Sequence, residues 1–598
     1  AAFALAMKAA AKLGRRRFLR MEAKPDICVL SDVAFTPEDV RDVAAVVGKD
    51  LFTDELRETL GQFEQAKNFG SLIVPKLRDP AETLRVVAAR DFGGDLLLKE
   101  VQERVVAVLR MAEALSSRYH VVVANPPYMS GKGMNVKLQD FAKTKYADSK
   151  SDLFAMFMER TLQMAAKHGM MAMINMQSWM FLSSFERLRR KLLSRATFLN
   201  MIHLGERAFD TIGGSVVSTT AFVARNMCNG SYRGDYIRLV EGVSEASKAR
   251  QLREAIDNPQ GGDFFRVSAV DFAKIPGSPV AYWISENARA AYIAGSGIGS
   301  ICYGQPGLQT SDNKQFVRNW HEVSTAAIGL GFESSEAAMA SGKKWFPYLK
   351  GGEFRKWYGN QDHLVNWRDN GKDIKAYVSD KYPYLNGNID YVVKDRGYYF
   401  LPLVSYTKIT SGWFNARTSP AGFLFDVAGS SIFPNEDYRL PVLGFLNSNL
   451  CNIFLKAQNP TVNIQSGDVD NLPFVAEWIM GSSKLLSQAL ETAIGLAKSD
   501  WDAYETSWDF TTLPLLSPDH RAETLEATYA TLRTLWQRMT DEMQGLEEEN
   551  NRIFIDAYGL QDELTPEVPL NEITLTCNPA YSIGGNKSDA EREGELRA

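Results

Sequence analysis

The most informative pattern in the chain is a short, uninterrupted apolar run that lies between two helical regions. Residues Tyr119–Ala124 form this run, and Asn125-Pro126-Pro127-Tyr128 follow it directly. An apolar run of this length, without alternation, is typical of a strand that is buried on both faces of a sheet. The two prolines end the strand because proline has no N–H to donate to the hydrogen-bond ladder.

The segments after this strand alternate between helical and strand patterns. They are a helix at Asp152–Lys167, an apolar run at Met170–Met176, a basic helix at Phe185–Arg195 and a strand at Phe198–Leu204. Such alternation predicts a doubly wound α/β sheet.

The part of the chain before the strand is mainly helical. Residues Ala1–Arg20 and Asp32–Ser117 show helical spacing, and Thr36-Pro37-Glu38-Asp39 has the cap, the proline and the acid of a helix start. Between these segments, Ile27–Leu30 has the composition of another buried strand.

Two changes in residue composition and periodicity divide the rest of the chain. Around Ile275–Pro279 a region begins that is rich in aromatic residues and glycine, with weak helical periodicity, and near Asn471–Pro473 a helical region begins. We therefore predict three domains: an α/β domain at 1–275 with a helical insertion at 32–117, a β-rich domain at 276–474, and a helical region at 475–598.

The last region contains one long amphipathic pattern. From Leu525 to Leu546 apolar residues alternate spacings of four and three, which predicts a long helix. An intramolecular bundle is favoured over a coiled-coil dimer, because about three heptads is short for an autonomous coiled coil.

Composition excludes several classes of protein. Hydrophobic residues make up 45% and charged residues 23% of the 598 residues, as in soluble globular proteins. No apolar run reaches the roughly 18 residues of a membrane span, and no secretory signal is present, so we expect a cytoplasmic protein. The five cysteines are widely separated, which argues against a metal site. The net charge of −5 does not indicate a nucleic-acid binder, but local patches decide such binding.

The four residues after the strand, Asn125–Tyr128, are termed the lip, and they carry the groups that methylation of adenine requires. Open α/β sheets place ligands beyond the carboxyl ends of their strands, where Asn125 is expected. The amino group of adenine is conjugated with the ring, so both amino protons must be held by acceptors before the nitrogen can pyramidalise towards a methyl donor. Asn125 offers a side-chain carbonyl and Pro126 a main-chain carbonyl, and Pro126 and Pro127 fix the backbone in advance. Tyr128 offers a ring on which a flipped base can stack.

The alternative is that the lip is only a strand-terminating turn, because Asn and Pro are common turn residues. Its position after a fully apolar strand, inside an α/β pattern, favours the catalytic interpretation.

Segments along nearly the whole chain carry a resemblance to one family. They are Asp152-Leu153-Phe154 with Met158-Glu159-Arg160; Phe209-Asp210 with Gly213-Gly214-Ser215-Val216-Val217; Gly307-Leu308-Gln309-Thr310 with Asp312-Asn313 and Phe316-Val317-Arg318; Trp345-Phe346-Pro347-Tyr348 with Gly351-Gly352-Glu353-Phe354-Arg355-Lys356-Trp357-Tyr358-Gly359-Asn360; Phe425-Asp426-Val427-Ala428-Gly429-Ser430-Ser431-Ile432-Phe433; and Asn551-Arg552-Ile553-Phe554-Ile555. With the lip, they make the chain similar to the gamma-ordered adenine-specific DNA methyltransferases. The chain resembles most closely the PglX-type methyltransferases of BREX phage-defence systems.

This resemblance implies a set of ligands and site residues. The implied methyl donor is S-adenosylmethionine, and the implied substrate is double-stranded DNA, read by a target-recognition domain at 276–474. Other phage-defence proteins are implied as partners. The family also implies that Asn125 contacts the cofactor, and that Ser31, just after Ile27–Leu30, contacts its adenine.

The chain departs from the family at the cofactor loop. No G-x-G or acid-plus-Gly pattern of the family's kind occurs before Asn125. The resemblance therefore implies a partial methyltransferase sheet whose first strand, helix and strand lie upstream, and a C-terminal end that stops short of the family's own. We expect the 598 residues by themselves to bind cofactor poorly.

Basic residues stand beside aromatic residues in the expected target-recognition domain. They are Lys314, Arg318, Lys343, Lys344, Arg355 and Lys356. We expect this group to contact DNA phosphates. Individually, most of the neighbouring rings are better explained as the core of a β-rich domain. A second basic run is expected to form one solvated helix face: Arg187, Arg189, Arg190 and Lys191.

The leading hypothesis is a site-specific DNA adenine methyltransferase that acts in phage defence or restriction-modification. The second is a non-catalytic DNA-recognition or inhibitor-binding component built on a truncated methyltransferase scaffold. The third is a methyltransferase fused to an endonuclease, whose nuclease domain lies outside this chain because no paired-acid plus Lys cluster is found in it.

Overall fold

The computed structural model describes residues 2–18, 20, 26–92, 94–210, 217–305, 307–394, 397–409, 412–480 and 483–597. Residues 213–216, which belong to one of the family-like segments, lie outside the described residues. The chain divides into two compact units, Ala1–Phe272 and Ala273–Ala598. The division lies close to the expected boundary at 275, whereas the expected boundary at 474 lies inside the second unit.

The first unit contains ten α-helices among its described residues. They are α1 (Ala2–Phe18), α2 (Asp39–Val47), α3 (Asp54–Gln62), α4 (Ala66–Phe69), α5 (Pro80–Ala88), α6 (Leu96–Ser116), α7 (Val136–Lys145), α8 (Leu153–Met164), α9 (Glu186–Arg195) and α10 (Glu245–Asp257). The expected helical insertion is thus a bundle of five helices, α2 to α6. Helix α6 begins at the capping residue Asp95 and buries Val101, Val105 and Val108, spaced by three and four residues, in the core of the bundle.

The sheet of the first unit is mixed. Its strands are β1 (Tyr119–Ala124), β2 (Ala165–Met176), β3 (Thr197–Gly205), β4 (Thr219–Arg225), β5 (Arg233–Arg238) and β6 (Phe264–Ser268). They lie in the order β1-β2-β4-β3-β5-β6. The pairs β1·β2 and β3·β5 are parallel, and β4 and β6 are antiparallel to their neighbours. The expected α/β class is confirmed, with two antiparallel strands that the sequence pattern does not reveal.

Strand β1 differs from its expected environment. It lies at one end of the described sheet, and α8 packs near it, yet Val121 is 57% and Val123 is 74% exposed. Side chains alternate across a strand, so these two valines share one face, which no described element covers. The expectation of burial on both faces is therefore wrong for β1.

The expected strand at Ile27–Leu30 is also wrong. This segment has no strand partner in the described part of the chain, and Val29 is exposed. Four apolar residues satisfy a strand pattern, but without a neighbouring strand the backbone stays irregular. Leu30 packs against the helical bundle instead.

The second unit combines short strands with helices. Its described helices are α11 (Glu286–Ala294), α12 (Asn313–Phe316), α13 (Ser335–Ala340), α14 (Arg368–Lys381), α15 (Asp390–Val393), α16 (Glu436–Asn447), α17 (Asn449–Gln458), α18 (Ser466–Asp470), α19 (Ala476–Met480), α20 (Ser483–Asp502), α21 (Leu525–Ala557), α22 (Pro579–Ser582) and α23 (Asp589–Arg597). Its described strands are β7 (Ser296–Gly297), β8 (Cys302–Gln305), β9 (Val317–Asn319), β10 (Trp345–Leu349), β11 (His363–Asn366), β12 (Leu403–Tyr406), β13 (Ala416–Ser419), β14 (Leu424–Phe425), β15 (Ser431–Pro434) and β16 (Pro473–Phe474). The two larger sheets have the orders β14-β10-β11-β9 and β13-β12-β15-β8.

One apolar core joins the β-rich part of the second unit to its C-terminal helices. Val404 and Ile432 from the strands and Leu490 and Phe554 from α20 and α21 belong to the same buried cluster. Helices α20 and α21 are therefore part of this unit's core rather than a separate region. The long helix that the heptad pattern predicts is α21, and it packs within the chain, as the bundle interpretation requires.

No helix in the described ranges has the length and apolar character needed to cross a membrane.

Candidate active site

The lip follows β1 at the carboxyl end of a parallel strand pair. The last residue of β1, Ala124, is paired with Met173 of β2. Asn125 is exposed and Pro126 is buried, so the chain turns into the domain directly after the asparagine. The side chain of Asn125 therefore lies at the edge of the sheet where α/β proteins bind ligands.

Two acceptors of the lip are unoccupied in the described part of the chain. Neither the side-chain carbonyl of Asn125 nor the main-chain carbonyl of Pro126 accepts a hydrogen bond from another described residue. Asn125 is exposed, so its side-chain carbonyl can be reached by an external donor such as an amino group. Pro126 is buried, and its carbonyl accepts from no described residue.

The segment after the lip is fastened to the start of α8. The Asp152 carboxylate accepts hydrogen bonds from the main-chain N–H of Met129, at 3.0 Å, and of Phe154, at 3.3 Å. In addition, the Leu153 N–H donates to the Met129 carbonyl at 3.0 Å, and Ser130 pairs with Asp152 as an antiparallel bridge. In the sequence Asp152 is recognisable only as a helix start within a family-like segment, and its contact with the lip segment is visible only in the structure.

The ring of Tyr128 is half-buried and rests on α8. Its centroid lies 6.1 Å from that of Phe154, and the two rings are perpendicular. Phe154 is in turn in contact with Phe185, 5.6 Å away. Burial raises the pKa of the Tyr128 hydroxyl, so it stays protonated at neutral pH. The ring is thus held in place, with part of its surface still exposed.

A buried histidine lies at the same edge of the sheet, near the end of β3. His203 Nε2 lies 2.6 Å from Oε1 of Gln177, which directly follows β2. Burial, with smaller contributions from Arg238 and Lys248, lowers the pKa of His203 to about 3. His203 is therefore neutral at physiological pH, and its ring N–H can donate to Gln177.

Ser31 does not lie beside the lip. It lines a cavity of about 740 Å³ together with residues of α6 and with Tyr119 at the start of β1, and none of the lip residues borders that cavity. Asn125 is at the other end of this strand. The two residues expected to contact S-adenosylmethionine therefore do not form one pocket, and the described residues fit an acceptor base better than the cofactor.

Two of the expected DNA-contacting residues lie over one tryptophan in the second unit, and two more are adjacent to them in the sequence. The Arg318 guanidinium lies 5.5 Å and the Lys344 ammonium 5.3 Å from the centroid of the Trp345 ring. Lys314 is exposed on α12, which directly precedes β9, and its carbonyl accepts a hydrogen bond from the Arg318 side chain. Lys343 precedes Lys344 and donates to the Ala326 carbonyl. These residues bring positive charge to the sheet that contains β9 and β10.

The other two expected DNA contacts, Arg355 and Lys356, are buried and paired. Arg355 lies 3.4 Å from the Asp500 carboxylate, and Lys356 lies 2.6 Å from the Glu547 carboxylate. A buried, neutralised cation cannot reach a phosphate without breaking its pair. Their assignment as DNA contacts is corrected accordingly: they join the β-rich part of the unit to α20 and α21.

The basic run in α9 is likewise not one solvated face. Arg189 is buried and donates to the carbonyls of Trp179, at 3.0 Å, and Leu182, at 2.6 Å. Lys191 pairs with the buried Glu159, whereas Arg190 forms an exposed pair with Glu186.

The described ranges contain no group of three or more His, Cys, Asp or Glu residues that could hold a metal ion.

Comparison with known proteins relates this site to methyltransferases. Residues 62–209, which include the lip, match the family described as Eco57I restriction-modification methylase. The adenine-specific methyltransferase PglX of Lacticaseibacillus casei (strain Zhang) is 37% identical over 591 residues, which cover 96% of this chain and 47% of that protein. The adenine-specific methyltransferase BrxX of Escherichia coli O9:H4 (strain HS) is 34% identical over 542 residues, covering 89% and 42%.

Among solved structures, the type IIL restriction-modification enzyme MmeI in complex with DNA aligns over 96% of this chain and 79% of its own, with 10% identity and a TM-score of 0.43. The chain spans less than half the length of PglX and BrxX. Over the part of these proteins that it spans, the chain is similar to the PglX-type adenine-specific methyltransferases.

Proposed function

We propose that this chain contains the acceptor-base site and a DNA-reading region of a site-specific DNA adenine methyltransferase. The proposed reaction transfers a methyl group to the exocyclic amino group of an adenine flipped out of double-stranded DNA. The observation that carries the proposal is the position of the lip at the carboxyl end of β1, with two unoccupied carbonyl acceptors. The names of the relatives support the same chemistry.

The chemistry assigned to the lip is the holding of two protons. Oδ1 of Asn125 accepts one amino hydrogen of adenine and the carbonyl of Pro126 accepts the other. With both hydrogens held, the nitrogen becomes pyramidal and its lone pair is free to attack a methyl electrophile. One of the two amino protons would leave for solvent after the N–C bond has formed. Both acceptors are neutral and their backbone is fixed by two prolines, so little reorganisation is needed when the base arrives.

Tyr128 is proposed as the platform for the flipped base. Extrusion of a base costs a few kcal/mol, and stacking on an aromatic ring returns about 1–3 kcal/mol. The contact with Phe154 keeps the Tyr128 ring in place before the base enters. Stacking on the fixed Tyr128 ring therefore roughly offsets the cost of extruding the base.

S-adenosylmethionine is the proposed donor and, when bound, supplies the methyl group as an electrophile. The candidates for contact with it would be Asn125, directly after β1, and Ser31, which lines a separate cavity beside the start of β1. Titration of this chain with S-adenosylmethionine tests the point, and tight binding would contradict the expectation that the 598 residues alone bind it poorly.

DNA is the proposed macromolecular partner of the second unit. Lys314, Arg318, Lys343 and Lys344 are proposed to contact phosphates, which positions the duplex without reading its sequence. The proposed setting is bacterial phage defence, in the cytoplasm, alongside other proteins of the same system.

The decisive variant is Asn125→Ala. Methyl transfer is measured in the intact protein that contains this chain, with tritiated S-adenosylmethionine and plasmid DNA from a host without adenine methylation, and DNA affinity is measured by fluorescence anisotropy. We expect loss of transfer with unchanged DNA affinity, and we expect no effect from Asn258→Ala, an exposed asparagine after α10. Retained transfer by the Asn125→Ala variant would overturn the assignment. DNA binding without transfer by the wild-type intact protein, at saturating cofactor, would favour the non-catalytic alternative.

A further inference from the structure

The carboxylate of Asp152 serves two segments of the chain at once. It caps the N-terminus of α8 by accepting the Phe154 N–H, and it accepts the Met129 N–H directly after the lip. Only 8% of the residue is exposed. A charged acceptor makes stronger hydrogen bonds than a neutral one, and a helix N-terminus favours its negative charge. The carboxylate therefore holds the main chain at Met129 firmly against the start of α8.

The segment that this carboxylate holds is residues 129–131, which directly follow the lip. The Leu153 N–H donates to the Met129 carbonyl, and the Gly131 N–H donates to the Ser151 carbonyl at 3.1 Å. The main chain of residues 129–131 is thus held by hydrogen bonds to the main chain of Ser151 and Leu153, the two neighbours of Asp152. Tyr128 is the residue directly before this anchored stretch.

The side chain of Tyr128 is supported by the same helix. Phe154, whose N–H is capped by Asp152, presents its ring perpendicular to that of Tyr128. Helix α8 therefore positions both the backbone after Tyr128 and the ring of Tyr128. The other end of the lip is fixed by β1 and the two prolines.

We propose that Asp152 is a positioning residue for methyl transfer, which acts by holding the lip against the first turn of α8. This inference rests on the proposed function, because it assigns to Asp152 the task of keeping Asn125, Pro126 and Tyr128 in the geometry that receives the base. Asp152 itself touches neither substrate nor cofactor in this assignment. Its removal loosens the lip while the sheet and the DNA-reading region remain intact.

Three variants of Asp152 test the anchoring role, and Asp152→Ser separates it from the capping role. Asp152→Ala removes both hydrogen bonds. Asp152→Ser keeps a good helix cap but has too short a side chain to reach Met129 as well. Asp152→Asn keeps the Oδ1 acceptor for both N–H groups. The matched control is Asp95→Ala, because Asp95 caps α6 through Leu97 and Leu98 and has no contact with the lip.

The primary measurement is hydrogen–deuterium exchange of the peptide that contains residues 125–134, in the full chain. We expect exchange at Met129 and Gly131 to become about tenfold faster or more in Asp152→Ala and Asp152→Ser, as for the loss of one charge-assisted hydrogen bond. Asp152→Asn, which keeps the acceptor without the charge, should lie between wild type and Asp152→Ala, and Asp95→Ala should change exchange in α6 alone. Unchanged exchange of the lip peptide in both Asp152→Ala and Asp152→Ser would overturn the proposal.

The second measurement is methyl transfer by the same variants of the intact protein. We expect the rate to fall about tenfold or more in Asp152→Ala and Asp152→Ser, with unchanged DNA affinity and with partial recovery in Asp152→Asn. An equal fall in Asp95→Ala would show a general stability effect and overturn the positioning role. If the wild-type intact protein transfers no methyl group, the proposed function fails, and the exchange measurement still decides whether Asp152 holds the lip.

Discussion

Lys356 and Glu547 form a buried ion pair, with 2.6 Å between Nζ and Oε2. The other carboxylate oxygen of Glu547 accepts a hydrogen bond from Nε1 of Trp357 at 2.8 Å. Both oxygens of one side chain on α21 are therefore used by two consecutive residues of a segment about 190 positions earlier. The position of α21 against the β-rich core depends on this contact.

Removal of one partner of this pair leaves an uncompensated charge in the core. We expect Glu547→Ala to lower the free energy of unfolding of the second unit by about 3–5 kcal/mol. The control is Glu549→Ala, which breaks a largely exposed pair with Arg552 on the same helix and should cost at most about 1 kcal/mol. Urea unfolding followed by tryptophan fluorescence provides the measurement. Equal midpoints for the two variants would contradict the structural role of the pair.

The cluster around Trp345 makes a different prediction, which concerns affinity for DNA. We expect the double variant Arg318→Ala/Lys344→Ala to weaken DNA binding, and the slope of log K against log salt to fall by about one for each phosphate that the protein no longer neutralises. Lys484→Ala, an exposed lysine on α20, is the control. Anisotropy titrations at four salt concentrations suffice, and an unchanged slope in the double variant would remove these residues from the DNA interface.

Tyr128 allows a test of base stacking. Tyr128→Phe keeps the ring and its contact with Phe154, so kcat/KM for methyl transfer should stay close to wild type. Tyr128→Ala removes the platform, and we expect a loss of about 10- to 100-fold, which corresponds to about 1–3 kcal/mol of stacking. Equal rates for the alanine and phenylalanine variants would show that the ring does not support the base.

His203 predicts a specific dependence of stability on pH. Its pKa falls from 6.5 to about 3 on folding, so between these values the unfolded chain binds a proton that the folded chain does not. Stability contributed by the neutral histidine is therefore present above pH 6.5 and is lost as the pH falls towards 3. In His203→Gln we expect the free energy of unfolding to decline less steeply between about pH 7.5 and 5. The slope differs from wild type by up to about 1.4 kcal/mol per pH unit. The apparent Tm at each pH provides the measurement.

His120 provides the comparison for that measurement. It is exposed on β1, and His120→Gln should reproduce the wild-type decline. If His203→Gln and the wild type decline in parallel, the proton is not excluded from His203 in the folded state.

Patterns that are local in sequence predict the structure well. The apolar run before Asn125 predicts β1, and the heptad spacing predicts α21, because period and turn residues are local properties. The lip can be recognised in the sequence for the same reason, because the strand, the asparagine and the prolines are consecutive.

Properties that depend on distant partners are not predictable in this way. Beside aromatic residues, Arg355 and Lys356 have the pattern of a phosphate-binding pair, but their acidic partners are 145 and 191 positions away. The pattern of Val121–Val123 likewise predicts a strand but does not reveal which neighbours cover it. The contact of Asp152 with Met129 spans 23 positions and closes only once α8 folds against the loop.

The uncovered strand β1 has a consequence for the behaviour of this chain in solution. One edge of β1 carries main-chain donors and acceptors that no described strand engages, beside the exposed side chains of Val121 and Val123. Such an edge is a template for strand addition by another molecule. At high protein concentration the purified chain should self-associate through this edge, and Val123→Lys should keep it monodisperse in light scattering.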